Sequence, residues 1–216
     1  MTTCLSNVSQ LTVGYQSYLQ VNEGRGFWYS QGDVLWLRYM RTALSNINQV
    51  QFCPEAMNPP VGMAVDGEGY GTANEYWQPL WIGPYTGSYA INGWLYTITR
   101  QNAWMLSFYS TYPNSPVSAR NSKVDPTLTP VFSDACWIDG WPMPGDAPPP
   151  TMTGMNDPLH NSWAGRGSMS IYCLSRHGNR SCIGFLDGSA RAVPAAELWQ
   201  LHWTADWQPR TVVIPH

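Results

Sequence analysis

The chain has 216 residues, a net charge of −3 and a charged fraction of 12%, about half the ~25% of an ordinary soluble protein. Twelve tryptophans and twelve tyrosines give it ample apolar surface to bury, which excludes disorder, and no Lys/Arg run exists to neutralise phosphates, which excludes nucleic acid. No stretch approaches the ~20 apolar residues of a bilayer span, and Met1-Thr2-Thr3-Cys4 leads into a polar segment, not the apolar core of a secretory signal.

The spacing predicts an amphipathic helix from Thr2 to Gln20. Leu5, Val8, Leu11, Tyr15, Tyr18 and Leu19 recur at three- and four-residue steps, and Asn22-Glu23-Gly24-Arg25-Gly26 stops the pattern. A second helix is expected to start at the N-cap Asp33, with Trp36, Leu37, Met40, Leu44 and Ile47 on one stripe. From Gln51 onward Gly, Pro, Asn and Ser punctuate short apolar runs: Ala90-Tyr96, Val131-Phe132, Met169-Leu174 and Cys182-Leu186. That punctuation predicts short strands and long loops. Helices first and strands after means α+β, not alternating βαβ, in one domain spanning 1–216.

The segment from 169 to 193 reads as a three-strand antiparallel meander. Asp187-Gly188 supplies a two-residue hairpin signal, since both central residues of such a turn take positive φ. A hairpin centred between His177 and Gly178 would set Cys173 opposite Cys182, within disulfide range; the alternative is two buried free thiols. Such a bridge would imply an oxidising compartment. The five cysteines show no paired zinc-type spacing. Sequons stand at Asn7-Val8-Ser9 and Asn179-Arg180-Ser181.

His177, nine residues, then Asp187-Gly188 make an H-x9-D-G pattern. With it, in order, stand Cys4-Leu5-Ser6-Asn7 with Gln10-Leu11, Phe52-Cys53-Pro54, Gly87-Ser88-Tyr89-Ala90-Ile91-Asn92-Gly93-Trp94, Pro130-Val131-Phe132-Ser133-Asp134, and Glu197 to Trp203. Taken together these blocks, which cover nearly the whole chain, resemble bacterial prepilin-like proteins with the C-terminal H-x9-D-G domain. Such proteins are similar to type II secretion pseudopilins and type IV pilins. The resemblance implies a pilin-like fold: 1–22 as the lower half of the pilin helix, laid on an antiparallel sheet, and 23–216 as a head with long Gly/Pro/Trp-rich loops. The family's prepilin peptide and hydrophobic stem are not among these residues, so any membrane contact would run through a stem this chain lacks.

His177 and Asp187 do not read as a catalytic dyad. At ~3.4 Å per residue they sit near opposite ends of one strand, roughly 20 Å apart, which suits a loop residue and a turn former. No nucleophile elbow, HExxH or phosphate loop is present, so no enzyme is expected. Asp66, Glu68, Asn74 and Glu75 crowd a glycine-rich loop whose oxygens suit calcium. The pseudopilins it resembles use calcium, though in a C-terminal loop, and a plain solvated loop is the other reading. Asp134, Asp139 and Asp157 are further acidic candidates.

Trp28, Trp77, Trp81, Trp104, Trp137, Trp141 and Trp163 lie in Gly/Pro-rich segments and exceed what one core needs. Surplus rings with depleted charge point to an interface between copies. The expected function is a bacterial extracellular or cell-surface subunit that associates with itself into a filament, tube or cargo-pushing pseudopilus. The alternative is a secreted carbohydrate-binding module that stacks sugars on those rings.

Overall fold

In the computed structural model, which describes residues 1–29, 35–60, 69–79, 85–97, 124–155 and 168–214, the helices come first and the sheet after. Helix α1 (Thr2–Val21) buries Cys4, Asn7, Val8, Leu11, Thr12, Tyr15 and Leu19, the face that three- and four-residue spacing generates. Leu5 and Tyr18, from the predicted stripe, pack at its margin. The expected second helix is broken: α2 (Trp36–Ala43) ends where Leu44 turns extended, and α3 (Ile47–Val50) is one further turn. Ser45 and Asn46 interrupt it because their side chains compete for backbone bonds; Asn46 Nδ2 donates instead to Gln10 Oε1 of α1 at 2.9 Å.

Five strands form a mixed sheet: β1 (Tyr89–Asn92), β2 (Pro130–Asp134), β3 (Asp139–Gly140), β4 (Arg180–Phe185) and β5 (Ala190–Pro194), in spatial order β3-β1-β2-β4-β5. β3 runs parallel to β1, and every other pairing is antiparallel. Helix α1 lies mainly on β4, flanked by β5 and β2. The approach is close enough that a Cβ at Gly184 of β4 would collide with the Thr12 side chain and stand 3.0 Å from the Val8 carbonyl. Only glycine lets the helix backbone sit there.

Two local expectations change. Met169-Leu174 is not a strand: Ser168–Ile171 is a 3-10 turn, because β2 and β5 already occupy both edges of β4. The hairpin that would have opposed Cys173 and Cys182 therefore does not form, and both are buried free thiols. The β4–β5 turn is one residue longer than the two-residue type. Gly188 N–H bonds to Phe185 O (2.8 Å), Phe185 N–H to Ser189 O (2.8 Å), and only Gly188 of the pair has positive φ, +92°. That is a type I turn closed by a glycine bulge. Asp187 Oδ1 accepts from the Ser189 N–H (2.9 Å) and hydroxyl (2.7 Å), which fixes the turn without a left-handed aspartate.

Candidate functional site

The polar centre of the molecule is assembled by α1, the loop after α3, β2 and the entrance to β4. Arg176 is fully buried. Its Nε donates to Ala73 O (2.9 Å), its Nη1 to Ser88 O (2.8 Å) and its Nη2 to Thr72 O (2.7 Å) and Glu75 O (3.4 Å). Nη1 also lies 3.5 Å from Asp134 Oδ1, an ion pair with both side chains out of solvent. A buried guanidinium is tolerated only with its donors filled, and here four backbone carbonyls fill them.

The next residue carries the strain. His177, Gly178 and Asn179 have φ of +50°, +65° and +62°, three left-handed residues in a row, closed by Arg180 N–H to Arg176 O at 2.9 Å. For histidine that conformation is uncommon, and such backbone persists where surroundings over-determine it. Glu55 does this: its Oε2 accepts the His177 backbone N–H (2.8 Å) and its Oε1 meets His177 Nδ1 (2.7 Å). The ring's other nitrogen, Nε2, faces Cys53 Sγ at 3.3 Å and Asp134 Oδ2 at 3.4 Å. Cys53 Sγ in turn lies 3.0 Å from Cys4 Sγ on α1. Cys182 gives its backbone N–H to Asp134 Oδ2 at 2.7 Å.

Electrostatics follow from this packing. Burial alone would raise the Asp134 carboxyl, but His177, Arg176 and the Cys182 N–H outweigh it and hold it below the usual range. Burial likewise opposes a charged His177, yet its bonds to Asp134, Cys4 and Cys53 push it up to about 12. Burial opposes a charged Glu55 as well, but its bonds to the His177 N–H and ring together with the charge of that ring outweigh it and hold the carboxyl below its ordinary value. The contact with Cys4, then burial, drives the Cys53 thiol far above its ordinary value. Cys53, His177 and Glu55 stand in the order of a thiol nucleophile, a base and an orienting carboxylate. A fully buried, protonated thiol cannot meet a substrate, so the arrangement suits holding the chain or a soft ion.

Among the described residues, the His, Cys, Asp and Glu side chains close enough to share one ion are Cys4–Cys53–His177 and Asp134–His177–Cys182, each set within 4.8 Å. His177 and Asp187 take the two ends of β4, as the strand-length argument predicts. Asp134, one of the acidic candidates, joins His177 there, and Glu55, Arg176, Cys4 and Cys53 are the partners that sequence reasoning did not assign to the site. Their signals were the Cys4 and Phe52-Cys53-Pro54 blocks and the aspartate closing β2.

The tryptophan interface is corrected. Trp77, Trp137 and Trp141 are core residues, and of the candidates that are described only Trp28, 38% exposed, reaches solvent; Trp81, Trp104 and Trp163 lie outside the described residues. The physical reason is visible in the indole N–H groups. Trp36 donates to Ile138 O (2.8 Å), Trp77 to Tyr89 O (3.1 Å), Trp94 to Pro142 O (2.8 Å), Trp199 to Asp146 O (2.9 Å), Trp203 to Leu198 O (2.8 Å) and Trp207 to Trp199 O (2.9 Å). An indole that reaches a backbone carbonyl buries area worth about 4–6 kcal/mol per ring before entropy without orphaning its N–H; Trp141 Nε1 is an exception, buried with no partner among the described residues. Of the calcium candidates Asp66 and Glu68 lie outside the described residues, Asn74 is exposed, and Glu75 is half-buried and joins neither ion-sized group. The sequon Asn7 is buried, its Nδ2 donating to Phe52 O at 2.9 Å, so it is closed to a glycan.

No protein-family model, no curated protein and no solved structure matches this chain.

Proposed function

We propose that this chain is a pilin-like structural subunit, without catalytic activity of its own, that associates with copies of itself into a filament or tube at the bacterial cell surface or beyond it. The observation that carries the reading is α1. Its twenty residues contain no Asp, Glu, Lys, Arg or His; one face is buried on the sheet, and the other leaves Val13 51% and Val21 81% exposed among Ser, Thr and Gln. A long helix with an uncharged outer face can pack against its counterpart in the next copy without like-charge repulsion or the cost of desolvating ions. The H-x9-D-G resemblance supports the same reading. The interface it implies lies on the helix, not on the loop tryptophans. A sugar-stacking module gains no comparable support, since Trp28 is the one exposed ring among the described tryptophans.

The test is negative-stain microscopy of the concentrated protein alongside its Val13→Lys, Ser17→Glu variant. Expected are helically ordered filaments that vanish in the variant while its melting temperature holds. Monodisperse monomers at every concentration, or filaments indifferent to the charges, would overturn the assignment.

A further inference from the structure

The cysteines of the polar centre stand out from the rest of the molecule. Cys4 and Cys53 come from segments 49 residues apart, and both are fully buried. Their sulfurs lie 3.0 Å apart, with His177 Nε2 3.3 Å from the second. We propose that Cys4, Cys53 and His177 bind a thiophilic divalent ion of the zinc class, with the Asp134 carboxylate on its fourth side.

Three features of the geometry point to an ion. First, two sulfurs and an imidazole nitrogen are the donors that select zinc-like metals over calcium or magnesium, whose ligands are oxygens. Second, the Glu55 carboxylate holds His177 Nδ1 at 2.7 Å and the backbone N–H at 2.8 Å. A carboxylate on the far nitrogen fixes the ring so that Nε2 presents its lone pair, an arrangement almost universal at metal-binding histidines. A disulfide between Cys4 and Cys53 would use neither His177 nor Glu55. Third, Asp134 Oδ2 stands 3.4 Å from Nε2 and is anchored by the Cys182 N–H, so a carboxylate borders the site on the histidine side and moves toward the sulfurs to complete it. A divalent ion together with Arg176 nearly balances two thiolates, Asp134 and Glu55.

Tetrahedral bonds of about 2.3 Å place two sulfurs roughly 3.8 Å apart, so binding spreads the pair by under about 1 Å. The metal binds the two sulfurs as thiolates and the imidazole through its Nε2 lone pair, and the protons these donors carry pass to solvent with no change of oxidation state. The burial of every donor leaves no open position, so the role is structural: it ties the first turn of α1 to the loop after α3 and to the entrance of β4. Glu55, 46% exposed, marks the side from which an ion enters.

The decisive measurement is made on the whole chain purified anaerobically without chelator or added reductant. Thiols are counted after unfolding, and zinc is counted by elemental analysis. Five thiols with one zinc per chain are expected, and Co2+ in place of zinc should give the intense absorption of a tetrahedral thiolate site. Cys4→Ser and His177→Gln should abolish that absorption, whereas Cys173→Ser, outside the cluster, should keep it. Three thiols and no metal would mean a Cys4–Cys53 disulfide and overturn the proposal. Five thiols with no uptake of Zn2+ or Co2+ would overturn it as well. The wild-type count decides even if a variant fails to fold, and it is independent of whether filaments form.

Discussion

At one end of β4, His177 enters a buried cluster supplied by α1, the loop after α3 and β2; at the other, Asp187 and Gly188 close an exposed turn in which the Asp187 side chain bonds only to Ser189, while its backbone N–H reaches Pro126 O at 3.1 Å. The first end is held by long-range bonds to side chains and a strained backbone; the second is shaped by local side-chain turn chemistry and anchored by backbone bonds to Pro126 and Thr129. The nine-residue interval between them is thus a strand with its two flanking turns. Its two termini need each other only to fix where that strand begins and stops. A histidine and an aspartate in one short motif are therefore no argument for a shared reaction.

Four measurements break or sharpen this contrast. The largest effect is expected from Arg176→Met, which leaves Asp134 buried without its guanidinium and takes a donor from four backbone carbonyls, two of which, Ser88 O and Glu75 O, keep a backbone N–H partner. A loss of about 3–5 kcal/mol in urea unfolding is expected, the usual cost of orphaning a buried charge. Next comes a calibration between two aspartates buried in the same sheet. Asp134, beside Arg176 and His177, is held low, whereas Asp139 on β3, with Oδ2 lacking a partner, is pushed up to about 7 by burial. A carboxyl raised in the folded state keeps its proton after the unfolded chain has lost its own. Stability from Asp139 therefore falls as pH rises from about 4 to about 7, on the order of a few kcal/mol at ~1.4 kcal/mol per unit. Asp139→Asn should flatten that slope in thermal melts and raise the melting temperature at pH 8.

At the turn end the effects are smaller. Gly188→Ala forces a side chain into φ of +92° and should cost about 1–2 kcal/mol. Asp187→Ala removes two short bonds at an exposed site and should cost about 1 kcal/mol by the same unfolding assay. If Asp187→Ala rivalled Arg176→Met, the two ends would not be independent.

Helix α1 was legible because its contacts obey a local period, and β4–β5 because Asp-Gly dictates a reversal. Met169-Leu174 misled, since a short apolar run buries equally well as a strand or as a 3-10 turn under the sheet. The tryptophans misled for a related reason: scarce charge around a ring looks the same whether the ring faces a neighbour or a carbonyl of its own chain. The polar cluster could not be assembled from sequence at all. Cys53 is 49 residues from Cys4 and 124 from His177, and no spacing rule spans such intervals. Only the blocks of the H-x9-D-G resemblance carried most of its members together.

Arg176 recognises Thr72, Ala73, Glu75 and Ser88 through their carbonyl oxygens, which every amino acid possesses. The route of these loops is thereby specified through the backbone, with the Thr72 hydroxyl adding a local side-chain brace by accepting the Asn74 and Glu75 N–H groups. A substitution that keeps this backbone path keeps the whole set of bonds converging on a single immovable cation.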